Sequence, residues 1–435
     1  MLKDVLNTIG TRYLIAFLNL LLIFINAKVL GLEGMGVVGL IWASISIIVM
    51  VNGILGGSTI VYFINRYPIR DVFFIAYGWT FIGTGVGCGI MWLFGLLPEG
   101  YFRDIYLLTI LYSLVVANSR FLLGRDNIRG FNLTNMLQGG LLFFILLFYY
   151  YVMRQKEVGA YMNGLYLTNG IAFAVSLRML FPYLRERGDM PAAASPDKAS
   201  RLALLKEMLV YGLWGSADNV AETCTARLNY FFVRRFGGLG SVGLLDVGTK
   251  VSESVWNISR SIAYIEYNRI AKAGDELEQK RITLRLFKFT FLAVALVMVV
   301  ILLIPEWVYT DYLFSHEFNG IRKVIVALSG GIVALGCNTI ISHYFIGSGK
   351  IKYSTASSCV GLLTLLVVGY FLIPAYGVVG SAASTSMAFV TMLVFSLCVF
   401  TRQTHSSFLE FFPNREDWRE LKLIIHRWKS FRQPR

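Results

Sequence analysis

Along this chain, apolar residues come in long runs and polar residues collect in the short gaps between them. Leu14 to Ile25, Leu141 to Val152 and Phe291 to Ile304 are apolar on every side of a helix, which leaves no face for water. A helix crossing the hydrocarbon needs roughly 20 mostly apolar residues, whereas a barrel strand would alternate polar and apolar positions. The pattern therefore predicts an all-α membrane protein of about twelve transmembrane helices, six on each side of one long polar segment. The spans fall near 8–30, 35–64, 72–97, 104–123, 131–153 and 159–183, then near 205–233, 240–268, 284–305, 319–347, 352–374 and 378–401.

The division is an N-terminal lobe over 1–184, a cytoplasmic linker over 185–204, a C-terminal lobe over 205–401 and a basic tail over 402–435. The linker contains Met190-Pro-Ala-Ala-Ala-Ser-Pro196, which breaks helix and reads as an interdomain connection. In the tail, Trp418, Leu421, Ile424, Ile425, Trp428 and Phe431 share one helical face opposite Arg and Lys. That is the pattern of an interfacial helix; a partly ordered basic tail is the plainer reading.

Composition agrees, with 56% hydrophobic and 15% charged residues among 435 and a mean hydropathy of +0.61. The net charge of +14 lies between the apolar runs and in the tail, on no single soluble face, which argues against nucleic acid. With both termini cytoplasmic, the outer loops hold only Arg103, Arg154, Lys156, Arg234, Arg235, Arg322 and Lys323, as the positive-inside rule requires. The five cysteines lie in apolar runs without paired spacing, so neither a disulfide framework nor a metal site is expected. No small-residue cleavage site follows the first apolar run, which reads as a retained helix.

Weak internal repetition supports two related halves. Gly31-Leu-Glu-Gly-Met-Gly36 follows the first span and Gly238-Leu-Gly-Ser-Val-Gly243 follows the seventh, with glycines at matching spacing. Gly124 to Arg129 parallels Gly347 to Lys352, and Val158-Gly-Ala160 parallels Val379-Gly-Ser381. Gly238-x-Gly240-x-x-Gly243 matches a dinucleotide fingerprint, but it joins two membrane helices and no strand precedes it. Glycine there serves a tight helix reversal. In the third span, Gly83, Gly85, Gly87 and Gly89 form overlapping small-residue patterns suited to close packing.

Charge is concentrated in two spans. The seventh carries Asp218, Glu222 and Arg227, and the eighth carries Asp246, Lys250, Glu253 and Arg260. At roughly 2.5 to 3.5 kcal/mol per charge at a helix centre, these residues do not face lipid. Asp246, Lys250, Glu253, Asn257 and Arg260 step along one face of the eighth span. The functional reading is a hydrophilic lumen in which Lys250, Arg260, Arg227 and Asn257 meet an anionic substrate. Asp218, Glu222, Asp246 or Glu253 would then carry a coupling proton or cation. The alternative is internal salt bridging, as between Asp246 and Lys250 at i,i+4 spacing. The first half offers Asn19, Asn26 and Lys28 on the first span, with Lys28 near enough to the outer end to snorkel instead. His343, alone on an apolar span, reads as a hydrogen-bonded packing residue. No catalytic motif is present, so no catalytic residues and no cofactor are expected.

Leu30-Gly-Leu-Glu-Gly-Met-Gly-Val-Val-Gly39, Phe236-Gly-Gly-Leu-Gly-Ser-Val-Gly-Leu-Leu-Asp246, Ile346-Gly-Ser-Gly-Lys350 and Tyr376-Gly-Val-Val-Gly-Ser-Ala-Ala383 together resemble polysaccharide flippases of the Wzx-like, O-antigen type within the MOP superfamily. The resemblance covers nearly the whole chain, on glycine-rich motifs of moderate specificity. It implies two six-helix lobes around a central cavity, in a bacterial inner-membrane protein that moves an undecaprenyl-diphosphate-linked oligosaccharide by alternating access. An H+ or Na+ gradient would drive it, with a polysaccharide polymerase as a partner. The alternatives are a cation-coupled drug or small-molecule exporter and a membrane-embedded glycan-synthesis enzyme.

Overall fold

The computed structural model describes residues 2–185, 201–270, 273 and 275–411; the 190–196 linker motif and the tail face from Trp418 to Phe431 lie outside the described residues. Every regular element among the described residues is helical. The helices are α1 (Leu2–Gly56), α2 (Ser58–Phe63), α3 (Ile69–Leu93), α4 (Phe102–Gly124), α5 (Ile128–Leu147), α6 (Val158–Arg185), α7 (Arg201–Arg227), α8 (Asn229–Ile270), α9 (Glu276–Leu303), α10 (Ile321–Gly347) and α11 (Ile351–Thr404).

A straight helix of 55 residues would measure about 80 Å, against a hydrocarbon core of roughly 30 Å. Instead α1 breaks at Gly31, where φ is 68° and ψ is −174°. The same break occurs in α8 at Gly238, with φ 73° and ψ −174°. These are the two glycines paired by the sequence repeat, and positive φ is the state that glycine enters without a steric cost. A third break, at Gly377, divides α11 (φ 56°, ψ −130°). Eight helical segments among the described residues are long and apolar enough to cross a membrane. α7 and α8 stand outside that set, and they are the helices that carry Asp218, Glu222, Arg227, Asp246, Lys250, Glu253 and Arg260.

The principal core joins α1, α8 and α10, with Met35, Leu40 and Ile41 packed among Val242, Leu245, Ile321 and Val324. At its centre α1 crosses α8 backbone on backbone. A Cβ on Gly36 would collide with the Leu239 carbonyl, and one on Gly243 with the Leu32 carbonyl. Lipid is as apolar as leucine, so close approach of this kind, rather than escape from solvent, holds membrane helices together. Two smaller cores sit apart: Phe63, Val72, Phe121 and Leu180 with Leu204 and Met208 of α7, and Ile262, Phe287, Ile340 and Phe400 with Phe411.

Polar side chains inside these helices are largely spent on one another. The Asn52 amide donates to Thr84 and Ser113, at 2.9 Å each, tying α1 to α3 and α4. Of the four glycines that form the small-residue patterns in α3, Gly83 and Gly87 face α1 at Asn52 and Ile48, whereas Gly85 and Gly89 meet open space. One small-residue row therefore packs closely and the other does not. His343 donates through Nδ1 to the Thr339 carbonyl at 2.8 Å.

Candidate substrate cavity

The polar face of α8, together with Arg227 at the end of α7, opens onto a cavity of about 750 Å³. α1 contributes Asn19, Asn26 and Trp42 to its wall. α4 to α6 contribute Tyr112, Asn135, Gln138 and Asn169, and α7 and α8 contribute Arg227, Lys250, Glu253, Asn257 and Arg260. Residues singled out from the sequence thus meet on one surface: Asn19, Asn26, Arg227, Lys250, Glu253, Asn257 and Arg260.

Two of the cations there are already neutralised. Arg227 Nη2 lies 2.8 Å from Glu253 Oε2, bridging α7 and α8, with side-chain exposures of only 23% and 16%. Lys250 Nζ lies 2.6 Å from Asp246 Oδ2 at i,i+4 spacing. Asp246 itself is buried behind the wall and receives a second, longer bond of 3.4 Å from the Tyr230 hydroxyl. Arg260 differs. It is exposed to the cavity, its guanidinium lies 3.6 Å from the centre of the Trp256 ring, and it forms no ion pair with the described residues. The indole is held in turn by its bond to Thr339 at 2.8 Å. A stacked guanidinium keeps its in-plane donors free for a second, anionic partner.

The other expected site residues lie off the cavity wall. Asp218 accepts hydrogen bonds from Ser354 and Ser358 of α11, at 2.6 and 2.5 Å. Glu222 lies within electrostatic reach of Asp218, Arg260 and Glu253. Lys28 is exposed and donates to the Tyr312 carbonyl at 2.5 Å. Sequence reasoning passed over Trp42, Tyr112, Asn132, Asn135, Gln138, Tyr161, Asn169 and Trp256, all of which line the cavity. A signal was present: Asn132, Asn135 and Gln138 recur every three residues along an apolar span, and so share a helical face.

At the Gly36–Gly243 crossing α1 and α8 touch backbone to backbone, and side chains reinforce that region. Glu317 accepts from the Leu32 amide at 2.8 Å, capping the helix that restarts after Gly31. Phe24 and Phe314 pack with ring centres 5.4 Å apart. The Tyr13 hydroxyl donates to Ser261 at 3.1 Å.

No family model and no curated protein matches the sequence. Solved structures do match in fold. A multidrug resistance MATE family transporter of the MOP superfamily, in an inward-facing conformation, is 14% identical; the match covers 90% of this chain and 94% of that one, with a TM-score of 0.69. The lipid II flippase MurJ, in an inward closed conformation, is 11% identical over 98% and 96% of the two chains, with a TM-score of 0.62. The MATE multidrug transporter DinF-BH is 13% identical over 94% and 95%, with a TM-score of 0.64. The chain therefore shares the all-helical fold of these proteins.

Proposed function

We propose that the protein moves an undecaprenyl-diphosphate-linked oligosaccharide across the bacterial inner membrane, for export of a surface polysaccharide of the O-antigen type. The observation that carries this reading is the charge of the cavity. Among the described residues, its wall holds Arg120, Arg227, Lys250 and Arg260; Glu253 in the wall and Asp246 behind it pair with Arg227 and Lys250, so the cations still outnumber the carboxylates. A cavity of that sign attracts a diphosphate and disfavours an organic cation.

The second reading, a cation-coupled drug exporter, draws on the carboxylates of Asp218 and Glu222 and on the likeness to DinF-BH. It ranks second because neither carboxylate lines the cavity. Asp218 is spent on two serine hydroxyls, which suits a coupling site for H+ or Na+ rather than a substrate contact. The MATE and MurJ neighbours are transporters and a flippase, and that supports transport over catalysis.

The three glycine breaks, each dividing a helix too long for one crossing, support a count of twelve spans in two lobes, 1–184 and 205–401, with both termini cytoplasmic. On that topology the closed glycine crossing is the outer end and the cavity faces inward. A polymerase acting on the delivered oligosaccharide is the expected partner.

Lipid extraction and mass spectrometry of cells lacking the protein test the reading. Accumulation of a lipid-linked oligosaccharide, reversed by complementation, is the expected result. An unchanged pool with intact surface glycan, together with raised sensitivity to cationic drugs, overturns it in favour of the exporter.

A further inference from the structure

The two sides of the cavity differ in hydrogen-bonding sense. On the α5 side, the Asn135 side-chain amide donates to the Phe131 carbonyl at 2.9 Å. The Gln138 amide donates to the Tyr112 carbonyl at 3.3 Å and to Asn169 Oδ1 at 3.4 Å. Backbone carbonyls only accept, so these contacts fix which end of each carboxamide is nitrogen. Both residues line the cavity, and their side-chain oxygens accept nothing from the described residues. Beside them, the Trp42 indole is held by its bond to the Tyr161 hydroxyl at 2.6 Å and packs edge-on to Tyr112, with ring centres 5.7 Å apart. Arg120, the cation that α4 contributes to the cavity wall, already has a partner of its own.

The α8 side differs in carrying strong donors: Arg260 offers its guanidinium from the face of Trp256. Asn257 beside it, its amide nitrogen donating to the Ser254 carbonyl, adds only an acceptor.

We infer that the Asn135–Gln138 wall is a glycan subsite that takes the sugar hydroxyls of the substrate, while Arg260 takes the diphosphate. The substrate then lies across the cavity, with its headgroup divided between the two halves. A phosphate carries only acceptors and gains nothing from a wall of carbonyl oxygens, whereas every sugar hydroxyl can donate to one. The aromatic faces of Trp42 and Tyr112 supply the apolar surface on which a pyranose ring packs. This inference rests on the flippase reading.

The test uses the full-length protein in lipid nanodiscs and native mass spectrometry, with two ligands. One is the lipid-linked oligosaccharide extracted from cells lacking the protein; the other is undecaprenyl diphosphate, the same lipid without sugar. Wild type is expected to prefer the glycosylated lipid by about tenfold, the scale of two net hydrogen bonds. The double variant Asn135→Leu/Gln138→Leu loses that preference and still binds undecaprenyl diphosphate as wild type does, which also certifies its fold. Arg260→Gln weakens both ligands alike. Equal binding of the two ligands by wild type, or a preference that survives the double variant, overturns the glycan wall and leaves the flippase reading standing. Binding of neither ligand by wild type overturns both.

Discussion

Gly36 of α1 and Gly243 of α8 face each other with no room for a side chain, because a Cβ on either is driven into the backbone of the opposite helix at Leu239 or Leu32. In the proposed mechanism this pair is the seal, and its tightness depends on both residues lacking a Cβ. Gly36→Ala and Gly243→Ala are each expected to force the helices apart, at about 1–3 kcal/mol of overpacking in the closed state. Spin labels on α1 and α8 near the crossing would report a longer or broader distance distribution than in wild type. An unchanged distribution in both variants would show that the crossing is not the seal.

The bond between Arg227 and Glu253 predicts an asymmetric mutational pattern. Arg227→Gln leaves a mostly buried carboxylate without its partner, and breaking such a pair from one side costs about 3 kcal/mol. The double change Arg227→Gln/Glu253→Gln should recover most of that loss. Arg260→Gln, exposed and outside any ion pair among the described residues, should leave thermal stability near wild type and impair transport. Equal destabilisation by Arg227→Gln and Arg260→Gln would contradict this division between structural and substrate-facing charge.

Asp218 is held by Ser354 and Ser358 between α7 and α11. In the proposed mechanism this carboxylate belongs to ion coupling, so Asp218→Asn should keep ligand binding while flipping in proteoliposomes stops responding to an imposed H+ or Na+ gradient. A gradient response as large as wild type would move the coupling site elsewhere.

Beyond the membrane helices, Glu410 accepts from the Ser407 amide at 2.9 Å and pairs with Lys280 of α9 at 3.0 Å. The Ser407 bond first, and then Lys280, hold its carboxyl below the ordinary value of 4.5. A depressed folded-state value contributes stability above the ordinary value and loses it as pH falls through the lowered one. Thermal melts of wild type and Glu410→Gln should therefore differ near neutrality and converge in acid. A gap that stays constant into the acid range would assign the effect to packing around Phe411 instead.

The sequence by itself determined that the chain is helical and membrane-embedded, because apolar run length and helical period are local properties. It also marked α7 and α8 as the charged helices, and Gly31 and Gly238 as matching turns, since charge is costly in lipid and glycine is the residue suited to positive φ. Only the tertiary structure decided which charges face the cavity. Lys250 and Arg260 stand on the same helical face, yet one is tied to Asp246 at 2.6 Å and the other lies on Trp256. Asp218, on a polar face like theirs, turned instead to two serines of α11, some 140 residues away in the chain. The carboxamide wall of α5 was overlooked for the same reason. Whether a polar side chain is spent on a neighbour or left for a ligand depends on ångström-scale distances between helices, and hydrogen bonds fall off too steeply with separation to be read from spacing along one helix.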